Sequence, residues 1–264
     1  MIILLHSSKT MRIAPVGSVK LHVPELLMKA RKIDACLKTL SPARLQKVMK
    51  ISASLAKKTH DLIADWTAEP KRQSLAMDSF IGDIYSGLRA DKLSPADRDY
   101  ADRTLRILSG LYGIIRPYDG IYPYRLEMEY KLPDPEFSNL YKYWGKAIAD
   151  CIPEKGPIVN LASEEYAQTI TPFVDASRII SPKFLTVSPK TGEPAFVVVH
   201  AKIARGAFAR WLITSRTEDF KALTQFHDLG YRFHQKLSTP DCPVFVCDTF
   251  GGKGLSMKRK LREK

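Results

Sequence analysis

Leu108-Ser-Gly-Leu-Tyr-Gly-Ile-Ile-Arg-Pro117 follows a charged segment, Ser94 to Ile107, with the pattern of a helix. Gly110 and Gly113 stand three apart in it. Glycine tolerates positive φ and lets another backbone come close, so the pair predicts a tight hairpin. Helix, short glycine hairpin, helix is the pattern of a helix-hairpin-helix element, whose amides hold a phosphate backbone without reading bases. The usual form has its glycines two apart. The same residues also fit a plain glycine turn between two core elements, and both readings stand.

Outward from the hairpin, local signals set the frame. Ile2 to Leu5 predicts a buried first strand. Pro24 to Lys38, Ser41 to Lys57 and His60 to Thr67 have helical periodicity. Ser41-Pro42 and Ser94-Pro95 each place a capping hydroxyl before a proline, a helix start. Residues 117 to 136 carry Pro117, Pro123, Pro133 and Pro135 and predict loops. Leu140 to Cys151 predicts a helix and Pro157 to Leu161 a short buried strand. Ile179 to Val187 and Ala195 to His200 predict a strand pair around a turn-rich connector. Ala201 to Arg216 predicts a helix. The strands are too irregularly spaced for a regular βαβαβ winding. The fold expected is mixed α+β: one domain over residues 1–250 with a dispersed mixed sheet, a helical lobe and a basic cleft. Residues 251–264, glycine-rich and then basic, are read as a flexible tail.

The chain has 264 residues, with 41 Lys and Arg against 28 Asp and Glu, a formal net charge of +13. At 45% hydrophobic it can bury a real core, which excludes a disordered basic tail. The charge favours a polyanionic partner. The four cysteines, Cys36, Cys151, Cys242 and Cys247, lack zinc-ligand spacing and argue against a disulfide scaffold. No apolar run approaches membrane-spanning length. The histidines have no helical ligand spacing. The reading is therefore a cytoplasmic protein without a metal, a cofactor or a membrane partner.

Three further stretches carry chemistry. On a helical wheel, Ile203, Ala204, Ala207, Phe208, Trp211 and Leu212 share one face, and Lys202, Arg205 and Arg216 lie opposite, with Gly206 beside them. That is either a solvated basic face or a ligand-facing one. Ser7-Ser-Lys-Thr10 leaves the first strand, where ligands of α/β sheets often sit. Without glycines before its lysine it is not a P-loop. Asn160-Leu-Ala-Ser-Glu-Glu-Tyr166 opens from a buried strand. Ser163 there reads as a helix cap above acidic first-turn residues, or Glu165 as an acid or base. Arg125 and Glu127 in Pro123-Tyr-Arg-Leu-Glu-Met128 extend this polar set.

Phe80-Ile-Gly-Asp-Ile-Tyr-Ser-Gly-Leu88, the hairpin stretch, Pro123 to Met128, Tyr143-Trp-Gly145, Asn160 to Tyr166 and Lys202-Ile-Ala-Arg-Gly206 occur in an order that resembles the YaaA family of bacterial peroxide-stress proteins. The resemblance covers about Ile2 to Phe233. It implies a cytosolic protein of the hydrogen-peroxide response, linked to lower unincorporated iron and so to less oxidative DNA damage. It also implies a mixed α/β fold with a positively charged cleft, a helix-hairpin-helix element and DNA binding. The family opens with Ser-Pro-Ala-Lys-Thr where this chain has His6-Ser-Ser-Lys-Thr10, so only Lys9 and Thr10 carry over.

Two functional readings follow. One is a DNA-binding stress protein using Lys9, Gly110, Gly113, Arg116, Lys202, Arg205 and Gly206, with DNA recognised by shape rather than sequence. The alternative is an enzyme on a small anionic or nucleotide-like ligand, with Thr10, Arg125, Glu127, Asn160, Ser163 and Glu165 converging in one pocket. DNA binding is the favoured reading.

Overall fold

A computed structural model describes residues 1–17 and 19–256. Strand β1 (Ile2–His6) is buried along its whole length, as a strand covered on both faces must be. The helical lobe follows: α1 (Leu27–Lys38), α2 (Pro42–Met49) and α3 (Ala53–Asp65). Next come the short α4 (Asp83–Leu88) and α5 (Pro95–Thr104). Ser41, Ser52 and Ser94 cap α2, α3 and α5 through their side chains. At α5 the cap is reciprocal: Ser94 Oγ accepts from the Asp97 amide at 3.2 Å and donates to the Asp97 carboxylate at 2.7 Å. Ser94→Ala removes both bonds, and the expected loss is about 1 kcal/mol in a urea melt.

The chain then runs through β2 (Leu105–Ser109) and β3 (Gly113–Ile115). These pair antiparallel, with Ser109 opposite Gly113. The hairpin is therefore a β-hairpin with a strand on each side, and the expected helix-hairpin-helix gives way to it. The reason lies in β1: Leu105 to Leu108 pair in parallel with Ile3 to His6, so these apolar residues complete a sheet. β4 (Ile158–Asn160) pairs with β1 on its other side, and β5 (Ile179–Ile180) closes the sheet in the order β3-β2-β1-β4-β5. Because β1 pairs with β2 on one side and β4 on the other, the connections diverge at its carboxyl end, where open sheets leave a crevice.

A second sheet joins β6 (Lys183–Val187), β7 (Pro194–Ala195), β8 (Tyr231–Phe233) and β9 (Val244–Cys247) in the order β7-β6-β9-β8. The expected second strand of the 179–200 pair is only β7, because helix α6 (Val198–Ser215) already starts at Val198. The helix expected over 140–151 is two short ones, Leu140–Trp144 and Ala147–Asp150, parted at Gly145, which has φ +50°. Packed rings of Phe184, Phe208, Phe226, Tyr231 and Phe245 tie α6 to the second sheet. One continuous core includes both sheets.

Helix α6 is buried on more than one side, since Ala201, Ile203, Ala204, Gly206, Ala207, Phe208, Ala209, Leu212 and Ile213 are all inside. A broad basic face does not form. Lys202 stays exposed, Arg205 is half-buried, and Arg216 pairs with Asp97 at 2.7 Å. Of the expected tail, Gly252 and Gly254 are buried, and Ser256 Oγ donates to Asp83 at 2.7 Å. Residues 257–264 lie outside the described residues.

Candidate functional site

The carboxyl end of β1 opens into a depression of about 380 Å³. Its floor is His6 and Ser7. Ser8, Lys9 and Thr10 form one wall, Glu127, Ser163, Glu165 and Tyr166 another, and Lys202 with Asp83 and Ser256 the third. Six pieces of chain supply these groups, gathered around β1 because it sits mid-sheet beside β4. The Ser163 turn follows β4 directly, and Glu127 comes from the proline-rich connector after β3.

His6 organises the centre. Its Nδ1 accepts from the Ser163 amide at 3.1 Å, and its ring stacks on Tyr166 with centroids 5.1 Å apart. The neutral imidazole therefore carries its proton on Nε2. Burial, then the nearby charges of Arg205 and Lys202, push its pKa down to about 3. Tyr85 Oη donates to the His6 carbonyl at 2.9 Å, locking the strand exit. Tyr166 Oη donates to Glu127 at 3.3 Å and accepts from Ser7 Oγ at 3.2 Å.

The acidic wall is paired in part. Lys9 Nζ lies 3.4 Å from Glu127. Glu165 accepts from the Glu129 amide at 3.3 Å, yet burial, and next the Glu127 charge, raise its pKa above the ordinary carboxylate value. Two carboxylates, one held by a lysine and one biased toward its protonated form, are what proton transfer to a bound ligand requires.

The cleft brings together Lys9, Thr10, Glu127, Ser163, Glu165 and Lys202, with Arg205 half-buried behind them close enough to act on His6. Other expected residues lie elsewhere. Gly110 and Gly113 are buried: a side chain at Gly110 would strike the Leu126 carbonyl, and Gly113, at φ +73°, faces Trp144 and Leu26. Neither presents amides to a ligand, so the glycine turn between core elements is the reading that holds. Arg116 pairs with Asp119 at 3.5 Å. Gly206 abuts the Ile84 carbonyl of α4, so its close neighbour is another helix and not a ligand. Asn160 braces its own turn by accepting from the Ala162 amide at 3.1 Å. Arg125 donates to the Lys9 carbonyl at 3.1 Å and so supports the Lys9 loop from outside the depression.

His6, Tyr85, Tyr166 and Asp83 also line the depression, and none of them is among the candidates read from the sequence. Each lies within a stretch quoted above: His6 beside Ser7-Ser-Lys-Thr10, Asp83 and Tyr85 in Phe80 to Leu88, and Tyr166 at the end of Asn160 to Tyr166. The cleft continues past Lys9 and Glu127 into two adjoining depressions of about 360 and 240 Å³. Lys50 and Lys131 line the first, and Lys58 and Arg125 the second.

A family model described as peroxide stress protein YaaA matches residues 1–237. The chain is 59% identical over 259 residues to a UPF0246 protein of Salinispora tropica, covering 98% of each chain. It is 39% identical over 250 residues to a UPF0246 protein of Marinomonas sp., covering 92% of this chain and 95% of that one. A UPF0246 protein of Shewanella pealeana is 36% identical over 255 residues, covering 93% and 98%. Among the described residues no helix is long and apolar enough to cross a membrane.

Proposed function

The chain belongs to the peroxide stress protein YaaA family and so has a role in peroxide stress, and we propose that it fulfils this role in the cytoplasm by binding DNA along the cleft at the end of β1. The observation that carries this reading is the groove. Three depressions share Lys9 and are lined by Lys50, Lys58, Lys131 and Lys202, alongside Asp83, Glu127, Glu129 and Glu165, on a chain of net charge +13. Lysines spaced along a groove suit successive phosphates of one strand. The contacts are made by side chains, since the hairpin glycines are buried. Limiting unincorporated iron enters as a consequence of the peroxide response and not as metal held by this chain.

A second reading is favoured by the carboxylates. Glu127 and Glu165 beside a neutral His6 suit acid–base work on a small anionic ligand seated in the β1 depression. Fluorescence anisotropy with duplex, bubble and single-stranded DNA at several salt concentrations separates the two. With Lys9→Glu/Lys202→Glu, affinity falls at every sequence, and the slope of log K against log salt drops by about 2. No binding at low salt, or binding indifferent to this pair, ends the DNA reading and leaves the acid–base one.

A further inference from the structure

We propose that a second cavity, on the far side of Tyr85 from the β1 cleft, binds a phosphorylated, hydroxyl-bearing small molecule such as a nucleoside phosphate. The cavity measures about 620 Å³, roomier than the β1 depression. Helices α4 and α6, the turn at Asp228 and the segment Gly251 to Leu255 enclose it. The cleft reading is not needed for this proposal, although Tyr85 and Leu255 border both spaces.

Three cations line the cavity: Arg89, Arg210 and Lys253. Among the described residues none of them has a carboxylate within ion-pair distance. Arg210 Nε is buried and has no hydrogen-bond partner. An orphaned donor of that kind is costly, and a phosphate oxygen would satisfy it. Arginine's planar fork suits such an anion.

Part of the cavity wall is glycine-rich. Gly251, Lys253 and Gly254 line it. The Gly251 amide is used, donating to the Leu229 carbonyl at 3.1 Å. Of the lining residues, Lys253 and Gly254 have amides without an acceptor among the described residues. Unpaired backbone amides in a turn can hold a phosphate.

Asp91 and Asp228 also line the space and define the rest of the ligand. Asp228 accepts from the Leu229 amide at 2.7 Å with one oxygen, which leaves lone pairs for a hydroxyl. Asp91 lies 3.8 Å from Lys92. A bare polyanion would be repelled by this pair, whereas a sugar phosphate meets both charges.

The test is thermal melting and calorimetry of the full chain with AMP, and with pyrophosphate as the hydroxyl-free control. AMP raises Tm by about 3–6 °C at a tenfold excess over Kd, and pyrophosphate raises it less. Arg210→Gln/Lys253→Gln weakens AMP at least tenfold, while Lys9→Glu/Lys202→Glu leaves AMP binding unchanged. Arg89→Gln/Lys253→Gln, both exposed, provides the same reading should the Arg210 variant melt early on its own. No stabilisation by AMP, or stabilisation lost only with the Lys9/Lys202 pair, overturns the proposal. Pyrophosphate binding as tightly as AMP overturns the hydroxyl-bearing ligand.

Discussion

Gly206→Ala lowers the stability of the fold by about 3 kcal/mol, which a melt reads as a fall of roughly 6–12 °C in Tm. A Cβ at Gly206 would stand 1.8 Å from the Ile84 carbonyl oxygen of α4 and 2.7 Å from the Leu88 amide. The contact is reciprocal: a Cβ at Gly87 would stand 2.0 Å from the Ile203 carbonyl of α6. The two helices therefore cross backbone against backbone, and a methyl group forces them apart. Alanine's better helix propensity returns only about 1 kcal/mol, too little to offset that. Thr214→Ala, at the exposed end of the same helix, changes stability by no more than about 0.5 kcal/mol. Equal melting of Gly206→Ala and wild type would mean that α4 and α6 do not meet as described.

The other large effect is in acid and centres on His6. Its pKa is held at about 3 against an ordinary 6.5, because the buried ring resists charging beside Arg205 and Lys202. The unfolded chain takes up that proton near pH 6.5 and the native chain does not. The stabilisation from the neutral ring is thus complete above 6.5 and fades as pH falls toward 3, at about 1.4 kcal/mol per pH unit.

Asp119 has the opposite sign. Burial raises its pKa to about 6 from 3.8, so its contribution is complete below 3.8 and fades as pH rises through 6. Between about pH 4 and 6 the two slopes oppose each other, and below 4 that of His6 acts alone. Asparagine at position 6 can still accept the Ser163 amide bond but never charges. The stability difference between wild type and His6→Asn therefore widens by about 1.4 kcal/mol per pH unit from pH 4 to 6 in urea titrations. A difference constant across that range would show that the ring is not held neutral.

The Gly206 and His6 positions also show where sequence reading ran out. Gly206 lies beside the residues of a face read as solvated or ligand-facing, but what it meets is the backbone of α4, distant in sequence. His6 was visible as a histidine ending an apolar strand. Its neutral state comes first from burial and then from Arg205 and Lys202, which are far from it in the chain. The glycine hairpin was right as a hairpin and wrong in its flanks. Leu105 to Ser109 is short and apolar, and such a run suits a buried strand as well as the end of a helix.

Local chemistry was decided by the sequence alone. Ser41-Pro42 and Ser94-Pro95 start helices, Ile2 to Leu5 makes a buried strand, and the family follows from ordered motifs, because each depends on residues within a turn or two of each other. The tertiary structure alone decided that Lys9 and Lys202, expected on DNA, meet Glu127 and Glu165, expected in a ligand pocket, in one cleft, that the hairpin glycines are sealed inside, and that Gly251 to Ser256 pack against the body. Those outcomes depend on which strands flank β1 and which helix meets α6. They are set by packing between segments far apart in the chain, which no local spacing encodes.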